Sequence, residues 1–359
     1  MSVADLALQR NKYKHLSDDE WRWFLQQVEG KERTAEKLPT FASIPDYWYP
    51  VRLSCEQCSS ELAARYKASL VSGEKMADLT GGYGVDTYFL SENFTHTDYV
   101  EQNAELCRIA THNFAHKPIT IHNTSAEEFL ASAGQYDLLF LDPARRDSHG
   151  GKVFRLEDCT PNVVELLPTL LAHSKRVLLK LSPMLDLTQA ITSLSQATWD
   201  VYVVAIKNEV KEVLLLSNGS GKITAIDLDK KDQAFVFSRE EESNSPFNFH
   251  LSPFTFLYEP SAAILKAGAY KLIAERFHLL KLDVNTHLYA SDTLIPNFPG
   301  RVWKIIEKQD LKQANVLCRN YPLTPDQLKK KLHLRDGGTA FVIGCRVAGK
   351  PTLFFAERV

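Results

Sequence analysis

The sequence predicts an α/β protein: a mainly parallel sheet in its middle, a helical segment before it and a smaller α+β part after it. Three observations support this. Met76-Ala77-Asp78-Leu79 is an apolar run stopped by Thr80-Gly81-Gly82-Tyr83-Gly84, and Val85 to Leu90 then takes helical phase. Thr97 to Glu101 is a second strand that ends in a carboxylate. Leu138 to Leu141 is a further apolar strand, delivering Asp142-Pro143-Ala144-Arg145-Arg146-Asp147 where the loops of a parallel sheet collect ligands.

From the start of the chain, Asp5 to Arg10 and Asp18 to Gln27 read as helices, the second capped by Ser17 and carrying Trp21, Phe24, Leu25 and Val28 at helical spacing. Leu38 to Val51 contains Pro39, Pro45 and Pro50 and reads as an irregular connection. Its Phe41, Tyr47, Trp48 and Tyr49 either stack on a base near the crevice or pack the helical segment onto the core. Ser54 to Leu70 reads as one helix. Cys55 and Cys58 have metal-ligand spacing, but no second close pair or spaced histidine set completes four ligands, so no structural metal is expected.

The glycine-rich turn lets main chain approach a ligand that side chains would exclude, and it offers unpaired N–H groups. Thr80, Gly81, Gly82 and Gly84 are its candidate cofactor contacts, with Glu101 suited to two ribose hydroxyls and Gln102 beside it. A dinucleotide fingerprint needs a third close-packing glycine, and Thr87 stands there instead. The negative charge of Asp78 would repel a pyrophosphate, whereas S-adenosylmethionine (SAM) has no phosphate and carries a sulfonium and an amino group. The cofactor expected is therefore SAM, with S-adenosylhomocysteine as product. The alternative is a turn whose glycines only satisfy a tight bend.

Asn103 to Phe114 reads as a helix, Ile119 to His122 as a strand, and Ser125 followed by Glu128 as a capping box. Pro143 fixes the loop after Leu141 and removes a donor, leaving oxygens turned to the crevice. Asp142 and nearby carbonyls can accept hydrogen bonds from an exocyclic amino group and hold it toward a methyl donor. Arg145 and Arg146 meet a phosphate or a guanine edge, or else pair with Asp147 or Asp158. Ser148 to Arg155 can form a flap in which Phe154 stacks on substrate and Lys152 or Arg155 contacts phosphate. The strand Arg176 to Lys180 ends at Ser182-Pro183, a substrate-side position. Methylation at a pyrimidine carbon normally calls for a cysteine nucleophile, and Ser182 in its place favours methyl transfer to nitrogen.

Further along, Thr160 to Ala172 and Asp186 to Leu194 read as helices, and Val201 to Ile206, Val213 to Leu216 and Ile223 to Leu228 as strands. Lys207 to Glu212 is a substrate-side loop or a plain hairpin. Glu240 to Pro253 reads as a linker, and Ser261 to Phe277 as one long helix. Val302 to Ile306 and Ala340 to Cys345 are strand-like, and Thr324 to Lys331 is a helix with Pro325 at its start. From Pro296 onward, twelve lysines and arginines stand against five acids, so this part can bind phosphate although the whole chain carries a formal charge of -2. The alternative is a lysine-rich face serving solubility.

Asp78-Leu79-Thr80-Gly81-Gly82-Tyr83-Gly84-Val85-Asp86, Glu101, Asp142-Pro143-Ala144-Arg145-Arg146 and Lys180-Leu181-Ser182-Pro183-Met184-Leu185-Asp186 together resemble the class I SAM-dependent methyltransferases that carry a THUMP-like C-terminal module. The likeness includes Glu56-Gln57-Cys58-Ser59-Ser60, Arg319-Asn320-Tyr321-Pro322 and Lys331 to Gly338, and so covers nearly the whole chain. It implies a Rossmann-like seven-stranded core over residues 71–235, an N-terminal helical segment over 1–70, a ferredoxin-like segment over 250–293 and a THUMP-like RNA-binding module over 294–359. It also implies that Gln57 borders the cofactor and that Ser125, or the backbone of Ala126 or Glu127, meets the adenine, where many relatives use an aspartate. Arg319, Lys330 and Arg335 become the C-terminal candidates for RNA phosphate.

At 359 residues with 44% apolar content, the chain has ample material for about two or three domains. No uninterrupted apolar segment suggests a membrane span, and six scattered cysteines fit a reducing cytoplasm. The leading expectation is methyl transfer to a base nitrogen, guanine favoured, in transfer or ribosomal RNA. Methylation of a protein or small nucleophile, a noncatalytic RNA-binding protein retaining the fold, and a nicotinamide oxidoreductase are the competing readings.

Overall fold

The computed structural model describes residues 5–6, 8–145, 155–246, 254–308 and 310–359. The chain forms two compact units, Met1–Trp199 with Leu214–Gly219, and Asp200–Val213 with Ser220–Val359.

The first unit opens with a 3-10 turn at Arg10–Tyr13, followed by helix α1 (Asp18–Thr34). Ser17 Oγ accepts from Glu20 N while Glu20 Oε2 accepts from Ser17 N, a reciprocal cap that satisfies two otherwise orphaned donors. Trp21 is buried and stacks on Phe24 with ring centroids 5.6 Å apart. Short helices α2 (Pro39–Ser43), α3 (Arg52–Gln57) and α4 (Glu61–Ser69) follow. The single helix expected from Ser54 to Leu70 is thus two. Cys58 turns extended and Ser60 Oγ accepts from Ala63 N, which starts a new helix although the apolar phase runs on. Base stacking is closed to Phe41, Tyr47 and Tyr49, which are buried, with Phe41 stacked on Tyr47 at 4.5 Å. Trp48 is half-buried and lies flat on His112 at 3.8 Å.

Strands β1 (Gly73–Asp78), β2 (Phe94–Val100), β3 (Ile119–His122), β4 (Tyr136–Leu141) and β5 (Ser174–Leu181) pair in parallel in the order β5-β4-β1-β2-β3. Between them run helices α5 (Val85–Leu90), α6 (Ala104–Asn113), α7 (Ala126–Ala131) and α8 (Val163–His173), and α9 (Leu187–Ser193) follows β5. Met76, Ala77, Leu138 to Leu141 and Val177 to Leu179 are all buried, because a parallel sheet is covered on both faces. Strands β6 (Trp199–Ile206) and β7 (Glu209–Ser217) come next. The end of β7 belongs to this unit, where Ser217 Oγ accepts from Val177 N at 2.7 Å. Of the seven strands expected for the core, β1 to β5 and the end of β7 belong to this unit.

In the second unit β6 pairs in parallel with β8 (Lys222–Asp227), and β9 (Phe235–Ser238) adds antiparallel to β8. Lys207 and Asn208, with φ of 53° and 60°, make the tight turn between β6 and β7, so the region expected as a loop or a hairpin is a hairpin. Helix α10 (Arg239–Asn244) occupies part of the expected linker, whose residues 247–253 lie outside the described ones. Strand β10 (Phe256–Pro260) follows, and then two helices, α11 (Ala262–Ala267) and α12 (Leu272–Arg276), replace the one expected across Ser261 to Phe277. Gly268, at φ +87°, ends α11 in the left-handed cap that glycine favours. Glu242 of α10 then accepts from the N–H groups of Tyr270, Lys271 and Leu272 at 2.9 to 3.1 Å and sets the start of α12.

Strands β11 (Leu280–Asp283), β12 (Thr286–Ser291), β13 (Gly300–Ile306) and β14 (Asn315–Arg319), helix α13 (Pro325–Lys331), and strands β15 (Ala340–Val347) and β16 (Lys350–Arg358) complete the unit. They form with β10 one seven-stranded sheet in the order β11-β12-β10-β13-β16-β15-β14, over a core of Leu257, Leu282, Leu288, Trp303 and Ile343. Thr324 and Gln327 form the cap of α13, with Pro325 at its first position as expected. No helix among the described residues is long and apolar enough to cross a membrane.

Gly30 tests the packing of α1. An alanine in a helix interior gains about 1 kcal/mol of propensity, but here its Cβ would stand 2.2 Å from Tyr49 Cβ. Overpacking of about 1–3 kcal/mol outweighs that gain, so Gly30→Ala should lower the urea midpoint at unchanged slope. A raised midpoint would show that the contact relaxes freely.

Candidate functional site

The turn after β1 is held by three side chains. Asp78 is buried, its Oδ1 accepting from Thr80 N at 3.0 Å and its Oδ2 from Thr87 Oγ1 at 2.5 Å. Thr87, standing where a dinucleotide fingerprint has glycine, thus has a bonding role of its own. Burial pushes the Asp78 carboxyl up to about 7, against the pull of these two hydrogen bonds. A Cβ on Gly81 would lie 2.2 Å from the Tyr99 ring, and one on Gly84, at φ +84°, would lie 2.5 Å from Phe114. Tyr99 is packed under the turn and donates its hydroxyl to Gly82 O at 2.5 Å. Gly82 N donates to Glu101 Oε2 at 2.9 Å, and Asn103 N to Oε1 at 2.8 Å. Each carboxylate oxygen keeps a further lone pair, enough for two hydroxyl donors.

The loop after β4 is fastened to the same turn, since Asp142 N donates to Thr80 Oγ1 at 2.7 Å. Lys180, at the end of β5, donates to Asp142 Oδ2 and stands 3.8 Å from Asp86 Oδ2. Asp86, on α5, forms an ion pair at 3.1 Å with the fully buried Lys67 of α4 and accepts from Ser59 Oγ at 2.7 Å. Burial would raise the Asp86 carboxyl, but Lys67 and Lys180 together hold it below its ordinary value. Sequence reasoning gave no role to Lys67, Asp86 or Lys180. The available signal was a lysine inside the apolar run Val177-Leu178-Leu179-Lys180-Leu181 and one among the small residues Ala63, Ala64 and Ala68.

These elements enclose a cleft of about 360 Å³. Of the expected cofactor residues, Gln57, Asp78, Thr80, Gly81, Gly82, Gly84, Glu101, Gln102, Ala126 and Asp142 line it. Ser125 is absent from that lining, and its hydroxyl caps α7 by accepting from Glu128 N at 3.0 Å. Its neighbours Thr124 and Ala126 border the cleft instead. The wall carries the carboxyl groups of Asp78, Asp86, Glu101 and Asp142, and Lys180 is the only lysine or arginine among the described lining residues. That donor set has no cation free for a pyrophosphate, because Lys180 is engaged by Asp142. It suits a nucleoside with a positively charged centre, for which Glu101 could hold the ribose, Ala126 and Thr124 could border the base, and the turn from Thr80 to Gly84 could take the charged end.

The substrate-side candidates are placed less evenly. Arg146, Lys152 and Phe154 lie outside the described residues, and Arg145 is described in its main chain, which pairs with Cys159. Pro143 is half-buried, Arg155 is exposed, and Ser182 Oγ accepts from Met184 N at 3.2 Å as the chain leaves β5. In the second unit, Arg319 bonds the buried carboxylate of Glu259, which Arg301 also engages, while Lys330 and Arg335 are exposed. No cluster of metal-ligating side chains occurs among the described residues, and Cys58 Sγ donates to Cys55 O at 3.2 Å.

Two family models match the C-terminal part of the chain, a ferredoxin-like domain over residues 256–299 and a THUMP-like domain over 295–358. Proteins from Mycobacterium tuberculosis strains CDC 1551 and H37Rv, both described as uncharacterised SAM-dependent methyltransferases, are 21% identical over 340 residues, covering 90% of this chain and 92% of theirs. A crystal structure of a Porphyromonas gingivalis W83 protein assigned as a methyltransferase superimposes with a TM-score of 0.87 and 32% identity, over 96% of this chain and 92% of that one.

Two stability measurements probe the site. An acid raised from 3.8 to about 7 on folding is bound as its proton, so its contribution is full below the lower value and is lost as pH climbs to the upper one. Asp78→Asn should therefore gain melting temperature relative to the natural chain between those pH values, and a constant difference would contradict the assignment. Lys67→Met should cost about 3–5 kcal/mol by leaving Asp86 buried with half its compensation. Urea titration of that variant against Lys67→Met/Asp86→Leu checks this, since the double variant should recover most of the loss.

Proposed function

The chain belongs to the class I SAM-dependent methyltransferases with a ferredoxin-like segment and a THUMP-like C-terminal domain, and from that premise we propose that it methylates a base nitrogen of transfer or ribosomal RNA, guanine favoured. SAM, when bound, supplies a methyl group on a positively charged sulfur. The observation that carries the reading is the fastening of Asp142 at the edge of the cleft, by its main-chain N–H to Thr80 and by its carboxylate to Lys180. Asp142 Oδ1 is the atom we assign to accept a hydrogen bond from the base amino or ring N–H. It orients the nitrogen lone pair and can take its proton after transfer. Pro143 keeps this loop from folding back, and Arg145, Arg146, Lys152, Phe154, Arg155 and Ser182 are the proposed contacts around the base and its phosphates.

For the cofactor, we assign Glu101 and Gln102 to the ribose, Asp78, Thr80, Gly81, Gly82 and Gly84 to the methionine end, and Gln57 to the border of the cleft. The Ala126 main chain is the better adenine contact than Ser125, whose hydroxyl is used in its cap. Support for RNA comes from the THUMP-like match over 295–358 and from the twelve basic against five acidic residues after Leu294. Lys330 and Arg335 are the exposed candidates there, whereas Arg319 shares Glu259. On this reading the chain divides at 1–70, 71–235, 250–293 and 294–359, and the protein works in the cytoplasm, where its RNA is found.

Methyl transfer from labelled SAM to folded cellular RNA, followed by mass spectrometry of nucleosides from cells with and without the protein, tests the proposal. Asp142→Asn should lower transfer by about a hundredfold while SAM affinity changes by less than about threefold. Equal losses in both, or no labelled product in any RNA pool, would sink it.

A further inference from the structure

A second hollow, of about 420 Å³, lies within the second unit, and its wall includes Lys207, Lys230, Arg301 and Arg358 with Asp227 and Asp229. The two acids are occupied by main chain. Asn208 N donates to Asp227 Oδ2 at 2.7 Å, Lys207 N to Asp229 Oδ2, and Asp229 N to Asp227 Oδ1 at 3.3 Å, which together hold the tight turn between β6 and β7. The four cations are far less committed. Among the described residues, the side chains of Lys207, Lys230 and Arg358 have no hydrogen-bond or ion-pair partner. Arg301 reaches Glu259 with its Nη2, while its Nε is buried and has no acceptor among the described residues. Gln233 Oε1, on the same wall, is buried with no donor among the described residues. An adjoining hollow shares Lys230, Gln233 and Pro299 and is lined beyond them by Phe235 and Phe277.

We propose that these two hollows together bind one ribonucleotide unit. Guanidinium and ammonium groups converging on a cavity suit a phosphate, and the planar fork of Arg301 has a donor still to place. A phosphate diester cannot satisfy Gln233 Oε1, which needs a donor, but a ribose hydroxyl can. Half-buried Phe277 offers a face against which a base can pack. Phosphate, hydroxyl and ring therefore follow the order of the wall: cations, Gln233, aromatic. The inference rests on the RNA reading for its source, a backbone unit of the RNA and not a free nucleotide.

The test uses the full chain and a fluorescent oligouridylate, which contains no guanine and so reports binding apart from methyl transfer. Lys230→Ala/Arg358→Ala should weaken binding about tenfold or more and reduce the slope of log affinity against log salt by about 1 to 2, with SAM affinity unchanged as the sign of an intact fold. Gln233→Leu should shrink the preference for oligouridylate over its deoxy counterpart. Uridine monophosphate competing as well as the oligomer would support the site and make a free nucleotide its source. Unchanged oligomer affinity and salt slope in the double variant would overturn the proposal. Oligouridylate binding in a protein that methylates no RNA would overturn the proposed function and leave this site standing.

Discussion

Asp86 is the constraint on which the first unit depends. A carboxylate so deeply buried is expensive unless opposite charge and hydrogen bonds surround it, and it obtains them from Lys67, Lys180 and Ser59. Those three partners come from three stretches of the chain: helix α4, the end of β5 and the residue ahead of the α4 cap. Satisfying the one acid therefore sets the N-terminal helices against the sheet and sets Lys180 beside Asp142. The charge that stabilises the fold is the charge that orients the loop at the cleft. A neighbouring stitch, Thr80 to Asp142, joins the ends of β1 and β4 so that turn and loop keep one spacing.

The second unit repeats the device. Glu259 is buried on β10, an interior strand of the seven-stranded sheet, and is shared by Arg301 of the adjacent β13 and Arg319 of β14. Two of the twelve basic residues after Leu294 thus answer to an internal acid before they face solvent. Lys329 is similarly held by Asp326 and Asp336. The formal excess of positive charge overstates what is free on the surface, and the free charge lies with residues such as Lys330 and Arg335.

What could be read from the sequence follows from how local the cause is. Strands β1 and β4 were legible because burial on both faces makes apolar runs, and the caps at Ser17 and Thr324 because both partners lie three residues apart. The turn glycines were legible as a pattern, but not their separate reasons: Gly81 yields to the Tyr99 ring, and Gly84 to Phe114 and its own φ. The breaks at Cys58 to Ser60 and at Gly268 were missed because apolar periodicity continues across both while a cap overrides it. Lys67, Asp86 and Lys180 were missed for a different reason. Asp86 meets Lys67 and Lys180 from 19 and 94 positions away, so each lysine shows in the sequence only as a charge among apolar or small residues, with no partner beside it. The seven-stranded sheet was hidden likewise, since β10 pairs with β13 across more than forty residues.

The glycine turn is braced from beneath by the Tyr99 hydroxyl on Gly82 O and from the side by Glu101 on Gly82 N, both within the protein itself. Such a turn is preorganised: it meets its ligand with little chain entropy left to lose. Most of the contact free energy then appears as affinity, and the encounter proceeds without waiting on a loop to order.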